Sequence, residues 1–134
     1  MASQQNENQD QAVAKVGPYS PVRWAGDFAF VSGQIGLEPA SGELAGPGLE
    51  EQARQALRNL DQVLKGAGLG REQVVKVMVF LTDMDDFRAF NEIYAGFFGG
   101  VISLPARSCV AVAALPKGAR VEIEAVAHSV AEQG

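Results

Sequence analysis

At 134 residues, with 47% hydrophobic and 20% charged side chains, the chain is long enough to bury its own core and too apolar to stay disordered. A net charge of -5, with eleven Lys and Arg scattered along the chain, disfavours an obligate nucleic-acid binder, whose phosphate contacts need clustered cations. A single cysteine allows no intrachain disulfide, a single histidine allows no multi-His metal site, and no run approaches the ~18 apolar residues of a membrane span.

Residues 1–15 read as a flexible N-terminal tail, and 16–134 as a single domain. Met1 to Asp10 is rich in Gln, Asn and Glu and lacks the basic start and apolar centre of a signal peptide. A cytoplasmic protein is therefore expected. Gly17-Pro18-Tyr19-Ser20-Pro21 is a turn-rich lead-in, with two prolines restricting the backbone around one tyrosine. Asp27 to Gln34 alternates as a strand, with Phe28 and Phe30 on one face and Ala29 and Val31 on the other. Pro39 to Gly48, rich in glycine and proline, reads as a loop.

From Leu49 to about Lys65 the apolar period becomes helical: Ala53, Ala56, Leu57, Leu60, Val63 and Leu64 share a face, and Gly66 and Gly68 supply the stop. Val74 to Leu81 is nearly continuous in apolar residues, which predicts a central strand covered on both faces. Thr82, Asp83 and Asp85 are candidate caps for a second helix over about Asp86 to Phe98. Its Phe87, Phe90, Tyr94 and Phe97 form an aromatic stripe that predicts packing on the sheet. Two strands follow, about Ser108 to Ala114 and Arg120 to His128, divided by Leu115-Pro116-Lys117-Gly118.

The order strand, helix, strand, helix, strand, strand predicts an α+β fold: a mixed β-sheet with both helices packed on one face. The other face is then bare. A large exposed apolar patch is unusual on a monomer, so a homo-oligomer is expected.

Few side chains remain to carry chemistry. Arg107 follows Pro105 and opens an apolar strand; its planar guanidinium suits bidentate binding of a carboxylate. A structural ion pair with Glu122 or Glu124 is the competing reading. Cys109 shares a strand face with Arg107 and reads either as buried filler or as a nucleophile, although no base is evident. Glu122 and Glu124 share a face, and either can pair with a cation or activate water. Tyr19, Ser32 and Asn91 are single polar signals with structural and functional readings alike.

Five segments in register then point to a family. Gly17-Pro18-Tyr19-Ser20, Phe30-Val31-Ser32-Gly33-Gln34-Ile35, Val79-Phe80-Leu81-Thr82-Asp83, Pro105-Ala106-Arg107-Ser108 and Val121-Glu122-Ile123-Glu124-Ala125 resemble the reactive intermediate deaminase A (RidA) family, over about Val16 to Ala127. The resemblance implies a chorismate-mutase-like fold and a homotrimer with ligand clefts between subunits. It implies hydrolysis of reactive 2-imino acids (2-iminobutanoate, 2-iminopropanoate) and their enamine tautomers to 2-keto acids and ammonia, without a cofactor or metal. Carried over residue by residue, Arg107 grips the substrate carboxylate and Glu122 handles the attacking water. Cys109, Tyr19, Ser32 and Asn91 line the cleft or contact the ligand. Leu104 departs from the pattern, standing where an aromatic residue often precedes Pro-Ala-Arg, which bears on substrate size. The alternative from another class is a non-catalytic trimer that binds a small carboxylate or a protein client in a chaperone-like role. A ribonuclease fits least, given the acidic charge and the absence of a histidine pair.

Overall fold

The structure, a computed structural model, describes residues 17–130. The tail expected over 1–15 lies outside the described residues. Five strands form one mixed sheet: β1 (Val22–Ala25), β2 (Phe28–Gln34), β3 (Val74–Leu81), β4 (Ala106–Ala111) and β5 (Val121–His128), in the spatial order β1-β2-β5-β3-β4. All neighbours are antiparallel except β3 and β4, which run parallel. A parallel pair needs a crossover, and α2 (Phe87–Phe97) supplies it. The other helix, α1 (Leu49–Gly66), lies across β2 and β5 and packs on α2.

Both helices cover one face of the sheet, as their amphipathic patterns require. Ala29, Val31, Val77, Val79, Leu81, Ile123, Ala125 and Ala127 point to that face and are buried against Leu57, Leu60, Val63 and Leu64 of α1 and Phe90 of α2. Removing a Leu or Ile side chain from water contributes roughly 1.5–3 kcal/mol, so this layer dominates the stability. α1 carries Glu50 and Glu51 in its first turn and Lys65 in its last, which suits the helix dipole. Just past its end, Gly68 has a φ of 78°, in the left-handed region that turns the chain away from the helix.

The opposite face is open. Phe28, Phe30 and Val110 stand on it at 43%, 48% and 42% exposure, with Met78, Phe80 and Val126 between them half-exposed. The expectation that β3 is covered on both faces is therefore corrected: within one chain its residues alternate buried and half-exposed.

Other boundaries also differ from expectation. Val22–Ala25 is a strand that the sequence reading left out, since four residues after Pro21 give too short a period to read. β4 starts at Ala106 and ends at Ala111, rather than spanning 108–114, so Arg107 sits inside the strand. Asp83 caps a 3-10 turn, Met84–Asp86, by accepting from the Asp85 N–H at 2.9 Å, and α2 begins only after it. Among the described residues, no helix is long and apolar enough to cross a membrane.

Candidate active site

The predicted site residues fall into two groups, on opposite faces of the sheet. The first group gathers around Glu122 on the open face. β2 and β5 change register between Val31 and Gln34, so that Ser32 and Gly33 together stand opposite Glu124. This bulge re-aims the end of β2. It also brings the Gly33 backbone so close to the Glu122 carboxyl that a Cβ at position 33 would collide with it. A side chain at position 33 would force the Glu122 carboxyl to swing away, a constraint that only the neighbouring strand makes visible.

A cavity of about 330 Å³ opens here, lined by Tyr19, Ser32, Gly33, Pro116, Glu122 and Glu124 among others. Ser32 Oγ donates to the Ser20 carbonyl at 2.6 Å, and Ser32 N–H donates to the Pro21 carbonyl at 2.9 Å. Both bonds tie the Tyr19 segment to the cavity rim. Burial pushes the Glu122 carboxyl above its ordinary pKa, and the like charge of Glu124 adds to the shift. A carboxyl that holds its proton more tightly than usual is a better acceptor for a proton from water.

The wall behind this cavity is held by buried amides on α1. Asn59 Nδ2 donates to the carbonyls of Ile35 and Leu37, at 3.1 and 2.9 Å, and Gln55 Nε2 donates to Asn59 Oδ1 at 2.9 Å. Gln52 Nε2 donates to the Gly46 carbonyl at 2.8 Å. Three carboxamides in an otherwise apolar helix face are tolerated because each has partners.

The second group lies on the helix-covered face. Arg107 and Cys109 of β4 stand beside Val77 and Val79 of β3, whose side chains are buried under the helices. Arg107 Nη1 donates to Asn91 Oδ1 of α2 at 2.7 Å. The guanidinium carbon lies 4.7 Å from the Tyr94 ring centre and 5.7 Å from that of Phe87. Phe87, Asn91 and Tyr94 are spaced i, i+4, i+7, so one stripe of α2 delivers all three. Two aromatic rings and one amide therefore orient the arginine while using only part of its five-donor fork.

The ion pair of Arg107 with Glu122 or Glu124, the competing reading, does not form within the chain: the partners are on opposite faces. Among the described residues Arg107 has no carboxylate partner. Cys109 is half-buried beside it, and burial raises its thiol pKa more than Arg107 lowers it. The thiol is thus kept protonated, which weighs against a nucleophile. Tyr94 is shifted upward by burial too, against an opposing pull from Arg107, and its buried hydroxyl has no hydrogen-bond partner among the described residues.

Sequence reasoning placed Phe87 and Tyr94 with the residues packed on the sheet and passed over Gly33. Both aromatics do join the main core, and both also touch Arg107. The available signal was Asn91, a polar side chain in the middle of an aromatic stripe. Among the described residues, no group of three or more His, Cys, Asp or Glu is placed to hold a metal ion.

Residues 9–129 match the model of the family described as Endoribonuclease L-PSP. The chain is 51% identical over 117 residues to the 2-iminobutanoate/2-iminopropanoate deaminase of Mus musculus, covering 87% of this chain and 85% of that protein. Two solved structures share the architecture. The Escherichia coli TdcF structure with bound serine superposes with a TM-score of 0.82 at 40% identity, covering 89% of this chain and 94% of that one. RidA from the Antarctic bacterium Psychrobacter sp. PAMC 21119 superposes with the same TM-score, identity and coverage.

Proposed function

The chain belongs to the Endoribonuclease L-PSP family, which includes the RidA proteins, and we propose that it hydrolyses reactive 2-imino acids to 2-keto acids and ammonia as a homotrimer of the chorismate-mutase-like fold. The observation that carries this reading is the oriented Arg107. It is braced by Asn91 and two rings and has no carboxylate partner among the described residues, which leaves its fork to a substrate carboxylate. The mouse relative's name and the serine bound to TdcF support the same ligand class, a small 2-substituted acid.

The chemistry needs little beyond this. Arg107 binds the carboxylate and fixes the C=N carbon. Water adds to that carbon as Glu122 takes its proton; Glu122 then returns the proton to nitrogen. Glu122 next carries the hydroxyl proton of this carbinolamine to the nitrogen as the C–N bond breaks and the C=O bond forms, so ammonia leaves and the 2-keto acid remains. General-base assistance of this kind is worth roughly 10²–10⁴-fold, and no covalent enzyme intermediate is required. Tyr19, Ser32 and Cys109 shape the cleft, and Asn91 holds Arg107.

Because Arg107 and Glu122 occupy opposite faces of one sheet, the cleft is shared: one copy supplies Arg107 and a neighbour supplies Glu122. The open apolar face is what such copies bury against one another. Cytoplasmic residence and the absence of a bound cofactor belong to the same proposal.

The test generates 2-iminobutanoate in situ with a threonine dehydratase and traps unreacted imine with semicarbazide. Adding the protein is expected to lower the trapped product, with Arg107→Ala inactive yet still trimeric. No decrease at stoichiometric protein sinks the deaminase reading. A protein that binds 2-ketobutanoate without lowering the trapped product is a carboxylate-binding module instead.

A further inference from the structure

Arg120 lies outside both groups, yet its backbone N–H, its carbonyl and its guanidinium each engage a different element. Its backbone N–H donates to Gln52 Oε1 of α1 at 2.8 Å. Its carbonyl accepts from the Thr82 N–H, just past the end of β3, at 3.2 Å. Its Nη2 donates to Asp86 Oδ2 at 2.9 Å, directly before the first residue of α2. Gln52 is 1% exposed and held in turn by the Gly46 carbonyl, so its grip on Arg120 comes from inside the core.

The positions at the two ends of this tie give it meaning. Two residues after Arg120 comes Glu122. One residue after Asp86 begins the helix whose Phe87, Asn91 and Tyr94 brace Arg107. The ends thus reach the two half-sites, which face away from each other across the sheet.

We propose that Arg120 is a positioning residue for the reaction: through Asp86 and Gln52 it fixes the start of β5, and thereby Glu122, relative to the helix that orients Arg107. The inference rests on the imine-hydrolase reading for its kinetic consequence, but not for its geometry. One chain lends Arg107 to one cleft and Glu122 to another, so the tie sets both contributions at once.

A purely structural role is separable from this one. The side chains of Arg120 and Asp86 are 39% and 16% exposed, a setting in which an ion pair adds little to stability. Arg120→Met keeps both backbone bonds, and Asp86→Asn leaves β5 untouched. Each is expected to leave the thermal midpoint within a few degrees and to lower kcat about tenfold with KM within about twofold, less than the roughly 10²-fold that a full ångström of misplacement can cost. The double variant is expected to be no worse than either single one, and Arg120→Lys to restore part of the loss.

A second readout is independent of turnover: titration of the Glu122 side-chain carboxyl, followed by its carbon resonance. Glu124 and Tyr19 are the other titratable groups on that cavity. Loss of position lets Glu122 relax toward solvent, so its midpoint falls toward the ordinary glutamate range in both single variants. Removing a nearby cation without moving Glu122 would instead raise the midpoint in Arg120→Met. An unchanged or raised midpoint, or unchanged kcat in both variants, overturns the proposal. If the parent protein fails to hydrolyse imine, the functional reading falls, while the carboxyl titration still decides the role of Arg120.

Discussion

Arg107, which on the proposed reading grips the substrate, has no carboxylate partner among the described residues. Asn91 fixes one of its donors, and removing a hydrogen bond to a charged group costs roughly 1.5–3 kcal/mol. Asn91→Leu is therefore expected to raise KM by about one to two orders of magnitude with a smaller effect on kcat, read from steady-state kinetics. Glu122 carries the opposite signature. Its raised pKa means that the folded state binds this proton more tightly than the unfolded state does. Stability then falls as pH rises through the window between the ordinary glutamate value and the raised one. Glu122→Gln is expected to flatten that decline, as measured by urea unfolding across pH. The same group acts as base only when ionised, so kcat in the parent rises with pH at a midpoint above the usual glutamate range. Arg107, Glu122 and Glu124 stand out in the sequence because charges inside strand-like runs need partners, while only the family resemblance separates Glu122 from Glu124. Their separation by the sheet was not legible, because periodicity places a side chain on one face of its own strand without relating it to the faces of another. The role of Gly33 is hidden for the same reason: the carboxyl packed against it comes from a strand about ninety residues on.

At the scale of elements, the two helices and β3 were read nearly to their ends, because long amphipathic or valine-rich segments carry their own period. β1 and the start of β4 were not. Four-residue strands and strands that begin at a proline are defined by the neighbour they pair with, not by local pattern. α1 does more than cover the sheet. Its buried Asn59 donates to the carbonyls of Ile35 and Leu37, two walls of the Glu122 cavity, and the Ile35 carbonyl also accepts from the Leu37 N–H. Asn59→Ala leaves both carbonyls without that amide, and is expected to lower unfolding free energy by about 2–4 kcal/mol, read from urea denaturation. Asn59→Asp, which cannot donate when ionised, is expected to be comparably harmful at neutral pH and milder in acid.

On the scale of the whole molecule, the bare sheet face governs behaviour. Phe28, Phe30 and Val110 expose an apolar surface next to the Glu122 cavity, and a charge placed there opposes burial by another copy. Phe30→Glu is expected to shift the protein from trimer to monomer in light-scattering chromatography and to abolish imine hydrolysis while retaining the fold. Shared clefts make a sharper prediction. Arg107→Ala and Glu122→Gln chains, each inactive alone, are unfolded, mixed in equal amounts and refolded together. About a quarter of the clefts then combine an intact Arg107 with an intact Glu122, and roughly that fraction of parental activity is expected. No recovery would mean that both residues of a working cleft come from the same chain.

The placement of Arg107 and Glu122 on opposite faces of one sheet also bears on inheritance. In the proposed trimer, made in a cell from parental and defective chains in equal amounts, each cleft draws its arginine from a single copy. An allele lacking Arg107 therefore silences about half the clefts rather than every assembly that contains it. Loss scales with gene dosage and is not dominant. An allele damaging the apolar face has a different effect, since one chain that cannot dock removes an edge from the whole ring. Variants of this small protein would then segregate into two genetic classes, additive at the charged residues and disproportionate at Phe28, Phe30 and Val110.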